Sequence, residues 1–220
     1  MKLAGYGKNL WGRLLKNTEQ PDENDHVRAL VAVADLSGFG AWFSNVSDIG
    51  TELKPFFNKY ESLVSQLMFN NGYFFKDLGD GFLVIKELSN NSASEASSLI
   101  KKLIFLEKNV RPLINKTPYP RPTGFRIRMA CGHSWKRRRN SRVDYLGRHI
   151  NLAFKMLRVH KSFPLVMHES VKALMSDKQI KIGGFRLKKM ALPTDEQFES
   201  IYKHEMSNLW GVVAAKIIKK

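Results

Sequence analysis

The chain has 220 residues, enough for one substantial domain with short extensions and too few for two full domains. Its 43% hydrophobic and 25% charged residues exclude a disordered polymer, and its single cysteine, Cys131, excludes an intramolecular disulfide or a cysteine-rich metal site and points to a reducing compartment. Thirty-six basic against twenty acidic residues give a net charge of +16, which favours a polyanionic partner: nucleotide, nucleic acid or anionic lipid.

Residues 1–17 repeat Leu3, Tyr6, Leu10, Trp11, Leu14 and Leu15 at helical spacing with basic residues between them, a helix that suits either a membrane surface or docking on its own domain or a partner subunit. The segment lacks the apolar core of a signal peptide, and no run in the chain nears the roughly 18 residues of a membrane span, so a cytoplasmic protein is expected. Residues 18–26 (TEQPDENDH) read as a linker.

Residues 28–35 (RALVAVAD) have the length and apolarity of a buried strand and end in a carboxylate, followed by Ser37, Gly38, Phe39 and Gly40. An amphipathic helix follows, with Leu53, Phe56, Phe57, Tyr60, Leu63, Val64, Leu67 and Met68 in steps of three and four, closed by Asn71-Gly72. Residues 73–85 (YFFKDLGDGFLVI) are two apolar runs joined by Asp-Leu-Gly-Asp-Gly, a β-hairpin pattern. Its tip presents Asp80 between Gly79 and Gly81, where no neighbouring Cβ blocks a ligand; a plain turn would also use Asp.

Ser92 and Glu95 form a capping box that opens a helix to about residue 110, and the prolines at 112, 118, 120 and 122 predict a loop over 111–124. Residues 125–132 alternate as a half-buried strand does. The basic run 136–139 (KRRR) reads as a solvated loop or as a grip on phosphate or membrane. Gly147 opens a helix with Ile150, Ala153, Phe154 and Leu157 facing the core and Asn151, Lys155 and Arg158 on a neighbouring stripe. Strands are expected over 163–167, 185–189 and 199–203, a short helix over 169–175, and a basic amphipathic tail from Met206 onward. The boundaries are an N-terminal segment 1–27, a central domain 28–205 and a tail 206–220. This order of elements fits an α+β fold with one antiparallel sheet and helices packed on one face.

If the hairpin neighbours the first strand, Asp35 and Asp80 converge. Two close carboxylates resist joint ionisation unless a cation lies between them, and oxygen ligands without a Cys or His cluster suit Mg²⁺ or Mn²⁺ with substrate phosphates. His133, His149, His160 and His168 lack metal-ligand spacing and receive no role.

The stretches VAVADLSGFG, YFFKDLGDGFLVI and VDYLGRHINLAFKM resemble, in order and interval, the three signature segments of the class III nucleotidyl cyclase catalytic domain, over roughly residues 28–204. The resemblance implies a ferredoxin-like, palm-type sheet, a nucleoside triphosphate substrate, two Mg²⁺ or Mn²⁺ ions, and a homodimer with shared sites. It also implies roles: Asp35, Asp80 and the carbonyl of Leu36 as metal ligands; Lys76 and Asp144 as base readers of the adenine-selecting type; Gly38 and Phe39 as substrate-binding positions; Asn151 for the ribose and transition state. Lys155 stands where the family has an arginine, with Arg158 one turn further as a substitute; Val33 and Gly40 also depart from the first motif. ATP is the favoured substrate. A pyrimidine cyclase like those of bacterial antiphage signalling, and a non-catalytic domain binding nucleic acid or membrane, are the competing readings. For the favoured reading no DNA or RNA partner is expected, and the basic tails are candidates for membrane-surface contact.

Overall fold

The computed structural model describes residues 25–68, 72–139, 142–159, 163–175, 185–190 and 208–214. The expected N-terminal helix, the 199–203 strand and most of the 18–26 linker lie outside these residues. In chain order the elements are β1 (His26–Ser37), α1 (Phe39–Asn45), a π-helical turn (Ile49–Leu53), α2 (Lys54–Met68), β2 (Phe74–Asp77) and β3 (Gly81–Glu87). They continue with α3 (Ser92–Lys116), β4 (Gly124–Arg139), β5 (Arg142–Leu146), α4 (Arg148–Met156), β6 (Leu165–His168), α5 (Glu169–Lys172), β7 (Phe185–Lys189) and β8 (Leu209–Ala214).

The strands form one sheet in the order β2-β3-β1-β4-β6-β8-β7, with β5 paired to the far half of β4. Among the described strands only β4 and β6 run parallel. The α+β, largely antiparallel architecture expected from the element order is therefore present. β1 lies between β3 and β4 and is buried on both faces, which is why it reads as a continuous apolar run rather than an alternating one. Leu30, Ala32, Ala34 and Leu36 enter one core layer with Trp42, Phe56, Tyr60 and Val64 from α1 and α2 and with Leu99, Ile100 and Leu103 from α3. Ala29, Val31 and Val33 enter a second layer, covered by Ile150, Leu152, Ala153 and Met156 of α4. Most helices thus pack on one face as expected, and α4 adds cover on the other.

Several local expectations are corrected. α3 does not stop near residue 110 but runs through Pro112 to Lys116. A mid-helix proline costs about 3 kcal/mol, and burial of Val110 and Ile114, roughly 1.5–3 kcal/mol each, outweighs it. Ser92 is not an N-cap: Asn91 precedes the helix, and Glu95 instead accepts from the Ser89 amide at 2.9 Å and pairs with Lys86 at 3.4 Å. The basic run 136–139 is not a loop but the distal half of β4, paired to β5. The tail from 206 was expected as an amphipathic appendage beyond the domain; residues 209–214 instead form β8 within the sheet, with Leu209 fully buried. β1 likewise begins at His26, two residues before the expected domain boundary.

Candidate active site

The β2–β3 turn is built from its own residues. Asp77 Oδ1 accepts from the Gly79 amide at 2.9 Å, the Leu78 amide donates to the Gly81 carbonyl at 3.0 Å, and Gly79 takes φ +88°, a left-handed conformation that glycine tolerates. Gly81 is required for a different reason: a Cβ there would stand 2.0 Å from the Ala34 carbonyl oxygen. This close approach seats the hairpin against β1, pairing Gly81 with Asp35 and letting the Leu36 amide donate to the Asp80 carbonyl at 2.9 Å. The N–H and C=O of one extended residue point the same way, so the Leu36 carbonyl is directed toward the Asp80 tip as well.

Asp35, Leu36 and Asp80, expected as metal ligands, are thereby brought together. Burial first, and then the charge of Asp35, push the Asp80 carboxyl above its ordinary range. The buried Tyr60 phenol is pushed up by burial and by Asp77, Asp80 and Asp35, and its hydroxyl has no hydrogen-bond partner among the described residues. This is a concentration of negative charge suited to a cation. All its donors are oxygens, and no group of three or more His, Cys, Asp or Glu side chains that could hold a metal occurs among the described residues. Two carboxylates and a carbonyl with further ligands from substrate fit Mg²⁺ or Mn²⁺.

Arg126, to which the sequence pattern assigns no role, pairs with Asp35 across β1 and β4. Its Nη2 lies 2.5 Å from Asp35 Oδ2, and its Nη1 donates to the Leu157 carbonyl at 2.9 Å. Its neighbour on the same face, Arg128, is fully buried and donates to the carbonyls of Met156, Val159 and Phe163 at 2.9, 3.0 and 3.1 Å. Burial pulls its guanidinium down to about 9, so it remains charged at neutral pH. The two cations gather the carbonyls at the C-terminus of α4, where positive charge is favoured. α4 consequently ends at Met156: Asn151 and Lys155 lie on the helix, whereas Arg158 lies in the turn beyond it and not on the expected helical stripe. Asn151 and Arg158 are exposed and Lys155 is half-buried. Phe154, expected in the core, is 36% exposed, while His149 takes a buried place on the helix. His149 contacts Ser134 Oγ at 3.1 Å, and burial, with His133 nearby, holds it down at about 4; it is a neutral packing group.

Lys76 is exposed on β2 opposite Leu83, and Asp144 is exposed on β5 opposite Arg137. Tyr145 links their elements. Its ring packs edge-on against Phe74 at 5.1 Å and its hydroxyl donates to Glu87, which also pairs with Lys136 at 2.7 Å. The sequence pattern held no signal for this anchor. Gly38, φ +76°, precedes α1, and Phe39 packs on Trp42, Phe43 and Phe57 directly after the Asp35 end of β1. The acids and Asp144 are not brought together within one chain, whereas Lys76 lies on the hairpin that carries Asp80, opposite Leu83, which is two positions from Gly81. Asp35 pairs with residue 126 of β4 and Asp144 with residue 137, eleven positions or about 36 Å of strand apart. Asn151 is exposed on α4, whose buried side covers the sheet.

No family model matches the sequence, and no curated protein matches it. The structure does match solved ones. The adenylyl cyclase CyaB from P. aeruginosa superimposes with a TM-score of 0.63 at 17% identity, covering 87% of this chain and 96% of that one. The guanylyl cyclase Cya2 gives 0.60 at 15%, covering 89% and 96%. The catalytic core of a rhodopsin-guanylyl cyclase with converted specificity, in complex with ATPalphaS, gives 0.56 at 19%, covering 87% and 97%. At these identities the likeness establishes the fold, that of nucleotidyl cyclase catalytic domains.

Proposed function

We propose that the protein is a nucleotidyl cyclase that converts a nucleoside triphosphate, ATP first, into a 3′,5′-cyclic nucleotide and pyrophosphate. The observation that carries this reading is the convergence of Asp35, Asp80 and the Leu36 carbonyl on a fold shared with adenylyl and guanylyl cyclases. Those three groups would hold Mg²⁺ or Mn²⁺. When bound, the ions neutralise the triphosphate and lower the pKa of the ribose 3′-hydroxyl.

The remaining tasks fall to protein side chains. Lys76 and Asp144 read the base, Asn151 orients the ribose so that the 3′-oxygen faces the α-phosphorus, and Lys155, with Arg158 nearby, offsets charge on the phosphates. The 3′-hydroxyl releases its proton to water as the new O–P bond forms, the bond from the α-phosphorus to the oxygen bridging to the β-phosphate breaks, and pyrophosphate leaves with that oxygen; no protein nucleophile takes part. With Asp144 far along β4 from the acids of its own chain, two chains supply complementary halves of each site, giving a homodimer with two sites. Lys155 delivers charge without the planar fork of an arginine, which limits rate more than binding.

Incubation with each of the four ribonucleoside triphosphates in Mg²⁺ or Mn²⁺, with products identified by mass spectrometry, tests this. A cyclic product lost in Asp35→Ala supports the cyclase, and its base names the substrate, a pyrimidine product selecting the competing enzyme reading. No cyclic product from a verified dimer would overturn it in favour of polyanion binding, for which the exposed Arg138 on the β4–β5 arm and the +16 charge supply the attraction.

A further inference from the structure

The contact between Arg126 and Asp35 places a fixed cation on a carboxylate that the cyclase reading assigns to the metal. We infer that Arg126 is the resident counter-ion of Asp35, a specificity-determining residue that keeps the nucleotide-free site poor at binding divalent cations, so that metal enters together with the triphosphate. The inference rests on the metal-binding role proposed for Asp35 and Asp80.

Charge and geometry support it together. Arg126 pairs with Asp35 at 2.5 Å, so an ion arriving between Asp35 and Asp80 meets a fixed positive charge that a bare carboxylate pair would not present. A guanidinium held on Oδ2 also withdraws that oxygen from an incoming ion while leaving Oδ1 free of it. Arg126 is anchored independently of Asp35, through the Leu157 carbonyl, so it is not a loose surface chain that drifts away when a cation arrives. A triphosphate brings enough negative charge to overcome the repulsion between Arg126 and a divalent ion. Without one, that repulsion is unopposed.

The test is direct titration of nucleotide-free protein with Mn²⁺, reading free ion by electron paramagnetic resonance. Wild type is compared with Arg126→Lys, which keeps the charge, Arg126→Gln, which keeps an amide donor without charge, and Arg126→Met, which keeps neither. The expected result is weak Mn²⁺ binding by wild type and Arg126→Lys, binding tighter by about tenfold or more in Arg126→Gln and Arg126→Met, and loss of that gain when Asp80→Asn is added. Should Arg126→Met fail to fold, Arg126→Gln carries the comparison. If both neutral variants bind Mn²⁺ no more tightly than wild type while Asp80→Asn still removes the binding, the counter-ion role is overturned and the metal site stands. If no variant binds Mn²⁺, or binding survives Asp80→Asn, the metal site itself is wrong and the inference falls with it.

Discussion

The two ends of β4 do different work with similar residues. At its start, Arg126 and Arg128 point inward, one onto Asp35 and the other into a cluster of carbonyls, and fix the acid pair against the exit of α4. At its far end, Arg137 stacks on Trp135 at 5.3 Å and Arg138 is exposed, while Tyr145 and Glu87 hold the arm to β2 and β3. An arginine on a strand is thus a buried structural cation or a solvated one according to what covers its face. Asp144 lies eleven positions along β4 from the level of the acid pair, and in the proposed chemistry a second chain completes each site.

The largest effect that would sharpen this contrast is at the acid end. Gly81→Ala drives a methyl group into the Ala34 carbonyl and is expected to destabilise by about 3 kcal/mol in urea unfolding. Gly79→Ala, in open space but at φ +88°, is expected to lose only about 1 kcal/mol. If the two cost the same, the close hairpin contact is not what seats Asp80. At the α4 end, Lys155→Arg is expected to raise kcat by about tenfold with little change in KM, because a planar fork grips phosphate in two places; steady-state kinetics with the preferred nucleotide would show it, and a fall in kcat would count against that role.

A smaller effect concerns pH. His149 is held at about 4 in the folded chain against an ordinary value of 6.5, so folding resists its protonation. Its contribution is full above pH 6.5 and is lost as pH falls through the window down to 4, with a slope of at most about 1.4 kcal/mol per pH unit for one proton. Urea midpoints across that window should flatten in His149→Asn; an unchanged slope would assign the acid sensitivity elsewhere.

The legible parts of the molecule were those whose chemistry is local. Asp and Gly at the hairpin tip state both the turn and the exposure of Asp80, and the apolar run ending at Asp35 states a buried strand. Arg126 and Arg128 were not legible, because an arginine at every second position of a strand looks the same whether water or the exit of α4 covers it. Leu209, Trp210 and Val213 satisfy helical spacing, and a short apolar run does not distinguish helix from strand; its place between β6 and β7 decides for β8. Pro112 misled for a related reason: its penalty is visible in sequence, while the burial of Val110 and Ile114 that offsets it belongs to the tertiary packing.

The most direct test of the central claim, that each active site is assembled from two chains, is co-expression of Asp35→Ala and Asn151→Ala under separate tags, followed by assay of cyclic nucleotide formation. Each variant alone is expected to be inactive, and randomly paired chains should recover about a quarter of wild-type activity, since half of the dimers then hold one intact site of two. A mixture shown to contain heterodimers that stays as inactive as its parents, beside an active wild type, would contradict the shared site.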